Sequence, residues 1–205
     1  MSNIICIGDS LVAGVWGNID GNTAMETPMS NVLANKLNDT AIINLGVGGD
    51  NCALINARKS EVLKFNPAVV ICEFGTNDII NNSVFSTVQT AMANLYSYFK
   101  NTAKASVWVL TIPPAEMEDP SYENASYWNS HQVRLDINSW LRTKPTNVDL
   151  VTDAWTLVRD PNQPRRFLEA YRGTSGVEYK GYTNHWNQAG VNLVVSQMLI
   201  DQANQ

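Results

Sequence analysis

Short apolar runs that alternate with longer amphipathic stretches constrain the fold of this chain more than any other feature. Such runs are typical of strands buried on both faces of a parallel sheet, and the amphipathic stretches between them are typical of helices covering that sheet. The runs predicted as strands cover residues 3–7, 41–45, 68–74, 106–112 and 148–151.

The stretches between the strands show apolar residues at helical spacing. Thr27 is predicted to cap the first helix, with Pro28 at its first position, where the missing N–H costs nothing. A second helix is expected after the glycine-rich turn, with Leu54, Ile55, Val62 and Leu63 as its apolar residues. Further helices are predicted over 83–104, 126–142 and 187–202, and two long segments, 116–125 and 155–186, lack periodicity. Long irregular segments in compact domains are usually functional.

Charge and composition exclude several classes of protein. The chain of 205 residues fits one domain, 1–205, and its 44% hydrophobic content suffices for a core. A net charge of −5 argues against a nucleic-acid binder, which needs a basic face. No apolar run approaches the roughly 20 residues that span a bilayer, so no membrane insertion is expected.

The N-terminus and the cysteines bear on the cellular compartment. No basic flank or cleavage site accompanies the apolar run at residues 4–7, so we expect a cytoplasmic chain or one already processed. Cys6, Cys52 and Cys72 have no metal-ligand spacing, and buried reduced thiols are the expected state.

Polar residues follow the first three predicted strands, and ligands of open parallel sheets bind at the carboxyl ends of the strands. The segments are Gly8-Asp9-Ser10-Leu11, Asn44-Leu45-Gly46-Val47-Gly48-Gly49-Asp50 and Gly75-Thr76-Asn77-Asp78, and the last predicted helix is preceded by His185-Trp186-Asn187. The first three turns are therefore expected on one rim, where a short return of the chain could bring His185 beside Ser10.

These residue types suit acyl transfer. A serine hydroxyl is a weak nucleophile until a base takes its proton, and His185 is one of two histidines available. The oxyanion needs fixed donors, which the backbone N–H groups of Ser10 and Gly49 and the side-chain amide of Asn77 could supply. For a histidine base, activity is predicted to fall toward acid within about pH 5–8.

The four segments resemble the sequence blocks of the SGNH hydrolases, also called the GDSL family of esterases and lipases. The resemblance spans almost the whole chain, with Ser10 at the nucleophile, Gly49 and Asn77 at the oxyanion positions and His185 at the base. It implies an α/β fold, namely a three-layer α/β/α sandwich around a five-stranded parallel sheet in flavodoxin-like order. It also implies a serine hydrolase that uses no cofactor and no metal.

One position departs from the family pattern. The catalytic Asp expected three residues before the histidine is replaced by Tyr182. The backbone carbonyl of Tyr182 could orient the imidazole, Asp153 or Glu178 could swing in, or the chain is a weak or inactive relative. We favour the carbonyl, because fixing the histidine tautomer requires only an acceptor.

The substrate is expected to be a small-molecule or carbohydrate ester. No apolar lid helix is evident for long acyl chains, and the irregular segments carry aromatic and amide side chains, which suits an acetyl group on a polar alcohol. The residues predicted to contact substrate are Asp9, Trp16, Asp50, Tyr182 and Trp186.

Three other functions compete with this interpretation. A lipase or thioesterase of the same fold would take longer acyl chains. A Mg-dependent phosphohydrolase would use Asp9, Asp50 and Asp78, which follow successive strands. A catalytically impaired relative would bind carbohydrate without turnover.

Overall fold

A computed structural model describes residues 3–16, 24–25, 27–38, 42–116, 128–173 and 183–205, with backbone alone at 15–16, 24–25 and 128–129. Five strands form one parallel sheet in the order β4-β1-β5-β6-β7, and β2 and β3 form a separate antiparallel pair. The strands are β1 (Asn3–Gly8), β2 (Val15–Trp16), β3 (Ala24–Met25), β4 (Ile42–Gly46), β5 (Pro67–Glu73), β6 (Ser106–Leu110) and β7 (Leu150–Thr152). The predicted α/β fold with a five-stranded parallel sheet is confirmed.

Helices cover both faces of this sheet. They are α1 (Ser10–Ala13), α2 (Met29–Leu37), α3 (Cys52–Arg58), α4 (Thr76–Ile80), α5 (Phe85–Asn101), α6 (Trp128–Arg142), α7 (Ala154–Val158) and α8 (Gln188–Ala203), with 3₁₀ helices at Lys59–Phe65 and Glu169–Tyr171. None of the described helices is long and apolar enough to cross a membrane.

Two hydrophobic clusters lie on the two sides of the sheet. Ile5 and Ile7 of β1 pack in the cluster that includes α3, α5 and α6, whereas Cys6 packs in the cluster that includes α2 and α8. Successive side chains of a strand point to opposite faces, so β1 contributes to both clusters. β1 is an interior strand between β4 and β5, and Ser10 comes two residues after its carboxyl end.

Helix boundaries and faces differ in part from the sequence prediction. The N-cap of α2 is Pro28 rather than Thr27, and the predicted second helix divides into α3 and a 3₁₀ helix. Leu54 and Leu63 are 52% and 43% exposed, because the neighbouring Ile55 and Val62 occupy the buried side of these helices instead. The short helices α1, α4 and α7 were not predicted, since four or five residues carry no readable period.

Candidate active site

Ser10 lies just after the interior strand β1, at the start of α1. Asp9 is the N-cap of this helix, and its Oδ1 accepts a hydrogen bond from the Leu11 N–H at 3.0 Å. As the first residue of α1, Ser10 directs its N–H out of the helix start, where backbone N–H groups have no intrahelical partner. The serine hydroxyl and a free backbone donor are thus presented at one point.

His185 reaches this point from the far end of the chain. Its Nε2 lies 2.8 Å from Ser10 Oγ, across 175 residues of sequence. The segment before α8 is held by its backbone, because Gly173 N–H donates to the His185 carbonyl and His185 N–H donates to Thr183 Oγ1. The structure therefore places the Ser10 hydroxyl and the His185 imidazole side by side, as the sequence analysis expected.

The imidazole of His185 is largely buried. It is 8% exposed, and burial lowers its pKa to about 4. A general base must be neutral in order to accept a proton. A neighbouring carboxylate would instead raise the pKa of the imidazole. The structure thus places the expected loss of activity in acid well below the pH range of an ordinary histidine.

The oxyanion donors predicted from sequence surround the serine turn. A Cβ added to Gly48 would lie 4.0 Å from Ser10 Cβ, which places the turn after β4 beside the nucleophile. Gly49 has φ +83°, a conformation that favours glycine, whereas the space around a Cβ at this position is open. The glycine is therefore explained by backbone conformation rather than by crowding.

Asn77, in the first turn of α4, is fixed by two contacts of its amide. Nδ2 donates to the Asp50 carbonyl at 2.9 Å and, more weakly, to Asp9 Oδ2 at 3.4 Å. The first bond anchors the amide to the turn after β4. The second is long, so this N–H is the one available for a stronger acceptor such as an oxyanion.

Three residues predicted to contact substrate have other positions in the structure. Trp186 is 2% exposed and packs in the core, because its Cβ lies against Gly190 of α8. Asp9 is 0% exposed, and its carboxylate accepts from the Leu11 N–H in the turn that carries Ser10. Asp50 is 6% exposed and pairs with Arg58 at 2.6 Å, so these three predictions are corrected.

The remaining predictions concern Trp16, Tyr182, Glu178 and Asp153. The side chain of Trp16 and all of Tyr182 and Glu178 lie outside the described residues. Asp153 is described, and its carboxylate accepts from Arg142, Thr111 and Thr156 as the N-cap of α7. Its acceptor positions are filled by these partners, so the alternative in which Asp153 orients His185 is corrected.

The three carboxylates of the magnesium alternative are engaged at separate places in the structure. Asp9 caps α1, Asp50 pairs with Arg58, and Asp78 Oδ2 accepts from the Cys52 N–H at 2.9 Å. Within the described ranges, no group of three or more His, Cys, Asp or Glu side chains is arranged to hold a metal ion. The three carboxylates stabilise separate turns and do not converge.

Sequence reasoning missed an ion pair that holds the histidine segment. Glu116, 0% exposed, accepts two hydrogen bonds from Arg172 at 2.8 Å and one from the Thr183 N–H at 3.1 Å. Arg172 also forms a backbone bridge with Trp186. These partners are 56 and 67 residues from Glu116, and nothing in the local sequence marks such long-range pairs.

Comparison with known proteins agrees with this geometry. The family model of the GDSL-like lipase/acylhydrolase family matches residues 6–193. The chain belongs to this family. As a member of this family, the chain is a carboxylic ester hydrolase. The match also confirms the family resemblance that the sequence motifs indicated. A comparison with curated proteins found no significant match.

Solved structures with the same fold align with nearly the whole of this chain. A member of the lipolytic protein G-D-S-L family from Veillonella parvula is 14% identical, with TM-score 0.69 and 100% of both chains covered. A lipase/acylhydrolase from Enterococcus faecalis is 21% identical, with TM-score 0.65 over 99% of this chain and 95% of that one. Axe2, an acetylxylan esterase from Geobacillus stearothermophilus, is 17% identical, with TM-score 0.67 over 98% and 93%.

Proposed function

We propose that this hydrolase removes a short acyl group, acetyl above all, from a polar or carbohydrate ester through an acyl-enzyme on Ser10. The observation that carries the proposal is the 2.8 Å contact between Ser10 Oγ and His185 Nε2. A nucleophile and a base at hydrogen-bonding distance are the first requirement of covalent acyl transfer.

Acylation follows from the positions of these groups. In the tautomer with its proton on Nδ1, His185 accepts the Ser10 proton at Nε2 while Oγ forms a bond to the ester carbonyl carbon. The carbonyl π electrons move onto oxygen, toward the N–H groups of Ser10 and Gly49 and the amide of Asn77. Collapse of this intermediate breaks the bond to the alkoxy oxygen, and the imidazolium gives that oxygen its proton.

Deacylation repeats the sequence with water. His185 takes a proton from water as its oxygen attacks the acyl carbon, and the same donors hold the oxyanion. The imidazolium then returns a proton to Ser10 Oγ, which leaves as the acid is released. The low pKa of about 4 keeps the resting imidazole neutral for both steps.

The backbone carbonyl of Tyr182 is our proposed acceptor for the Nδ1 proton. Residues 182–184 are Tyr, Thr and Asn, so no carboxylate stands at the usual place. The lowered pKa of His185 supports a neutral acceptor, since a carboxylate at Nδ1 would raise it. Single Asp153→Ala and Glu178→Ala variants should keep near-full turnover, and a collapse in a folded Glu178→Ala variant would instead assign the role to Glu178.

A short acyl group is supported by how little exposed apolar surface the described residues present beside Ser10. Among the described residues, the exposed large hydrophobic side chains are scattered over seven positions, and Val47 is the one in the turn beside Ser10. A long acyl chain needs a continuous apolar groove. The same fold in Axe2, an acetylxylan esterase, supports a carbohydrate acetyl ester as the substrate.

Nitrophenyl esters of increasing acyl length test the substrate proposal. We expect kcat/KM to be highest for acetyl and to fall with each longer chain, and acetylated xylo-oligosaccharides to release acetate. A preference for octanoyl would make the enzyme a lipase or thioesterase. Carbohydrate binding with no turnover of any ester, and no labelling of Ser10 by a fluorophosphonate, would make it a non-catalytic relative.

A further inference from the structure

The buried carboxyl groups beneath the nucleophile are not explained by the reaction steps above. Glu73 ends β5 and pairs with Gly8 in the sheet register, immediately before Asp9. A Cβ on Gly8 would lie 1.9 Å from the Glu73 carbonyl oxygen, so the two strands approach closely here. Glu73 and Asp9 are 1% and 0% exposed.

The two buried carboxyl groups lie close enough to act on each other's ionisation. Within the described part of the chain, no N–H or O–H donor reaches either carboxyl oxygen of Glu73. Two ionised carboxylates are acceptors only, so neither could satisfy the other in this buried place. A proton on one of them replaces their repulsion with a hydrogen bond.

The surrounding charges identify which group carries this proton. Asp9 accepts from the Leu11 N–H and from Asn77 Nδ2, and both bonds favour its ionised form. Glu73 has no such donors, and burial together with the Asp9 charge raises its pKa well above the usual value. Arg134 of α6, 0% exposed, supplies one positive charge near both groups, which balances one carboxylate but not two.

Other titratable groups act on the pair from neighbouring elements. Asp78 of α4 raises the pKa of Asp9, which burial lifts to about 6. Tyr96 of α5 is also close enough that the charge of Glu73 acts on its buried hydroxyl. Among these neighbours, Asp78 favours a pair that keeps its proton, and Arg134 opposes it.

We infer that Glu73 is a positioning residue of the ester hydrolysis, whose protonated carboxyl donates to Asp9 and so fixes the carboxylate that holds both the Ser10 turn and the Asn77 amide. This inference rests on the proposed function for its catalytic consequence. The buried proton itself is a property of the fold. Asp9 links Glu73 to the reacting groups because its two oxygens face Leu11 and Asn77.

Two substitutions of similar size separate positioning from mere packing. In Glu73→Gln the amide N–H₂ can still donate to Asp9, whereas in Glu73→Met the volume is kept and the donor is lost. We expect Glu73→Gln to keep kcat within a few-fold of the wild type. We expect Glu73→Met to lower kcat about ten- to a hundredfold with little change in KM, because the donors are misplaced rather than removed.

Infrared spectroscopy of the intact protein at neutral pH tests the proton without reference to turnover. We expect a carbonyl band of a buried carboxylic acid that shifts in D₂O, is absent in Glu73→Gln, and persists in the control Glu61→Gln. Absence of the band from the wild type would overturn the inference, as would equal kcat in folded Glu73→Gln and Glu73→Met. A wild type with the band but no ester turnover and no Ser10 labelling would refute the proposed function, and with it the positioning role, while leaving the buried proton in place.

Discussion

The serine side and the histidine side of the active site are built in different ways. Ser10 follows the interior strand β1, and Asn77 lies in the first turn of the short helix after the neighbouring strand β5. His185 lies in the histidine segment, residues 183–187 just before α8, where the Thr183 N–H donates to Glu116, the partner of Arg172. The first half is fixed by strand pairing and core packing, the second by a side-chain ion pair across the sequence.

This difference indicates where the site tolerates change. The ends of parallel strands cannot move without disrupting the sheet, so the nucleophile and the oxyanion donors share the stability of the core. The histidine segment can shift when one ion pair is broken. We expect substitutions on the two sides to affect activity and stability in different proportions.

Removing the reacting pair should give the largest effect. Ser10→Ala and His185→Ala are each expected to lower kcat by roughly 10⁴-fold or more, because each abolishes the same proton transfer. The double variant should be no slower than either single variant, since the two groups act as a unit. Turnover of short esters, with thermal unfolding as the folding control, checks this, and additive losses would contradict a Ser10–His185 unit.

Removing the side-chain oxyanion donor should give the next largest effect. Asn77→Ala is expected to lower kcat about a hundred- to a thousandfold, the usual loss for one such donor. Asn81→Ala, an exposed position at the end of the same helix, is the matched control and should retain activity. If both variants have equal turnover, Asn77 is not an oxyanion donor.

Breaking the Glu116–Arg172 ion pair should lower activity less than the Asn77 substitution does, and should lower the unfolding free energy more. Glu116→Gln is expected to reduce kcat about tenfold through misplacement of His185, and the unfolding free energy by about 1–3 kcal/mol through loss of charged hydrogen bonds in a buried site. Lys100→Gln breaks the half-exposed pair with Asp149 and should cost under about 1 kcal/mol with activity intact. Equal destabilisation by both substitutions would remove the distinction between the two sides.

The smallest effect is expected from mild acid. With the pKa of His185 at about 4, the fraction of neutral base changes by only about a tenth between pH 8 and pH 5. A histidine of ordinary pKa would lose about thirtyfold over the same range. We therefore expect log(kcat/KM) to be nearly flat to pH 5 and to fall below about pH 4, and a midpoint near pH 6.5 would contradict the buried, neutral base.

The same pKa has a consequence for stability, with a definite sign. The folded-state pKa of about 4 lies below the unfolded value near 6.5, so the unfolded chain binds the additional proton first. The contribution of His185 to stability is complete above about pH 6.5 and is lost as pH falls toward 4. Comparison of the wild type with His185→Gln over this range isolates the effect.

Much of the serine side could be predicted from sequence because it is local. Apolar runs located the five strands, and the rule that ligands bind at the carboxyl ends of parallel strands indicated Ser10, Gly49 and Asn77. The order of short motifs indicated the family. These inferences use neighbours in sequence, which the sheet keeps as neighbours in space.

The predictions that failed depended on packing and pairing that the sequence pattern does not mark. Trp186 was expected in a substrate groove because it is an aromatic residue in an irregular segment, yet it packs beneath α8. Asp9 and Asp50 were expected near substrate, but each binds a partner that local sequence does not identify. The roles of Glu116 and Glu73 were missed for the same reason.

The 175 residues that separate Ser10 from His185 have a consequence for biosynthesis. On the ribosome, the Ser10 hydroxyl is made before the imidazole that is proposed to take its proton. A nascent chain that ends before His185 contains the serine without this base. Under the proposed function, ester hydrolysis therefore begins only after His185 has been translated and has docked beside Ser10.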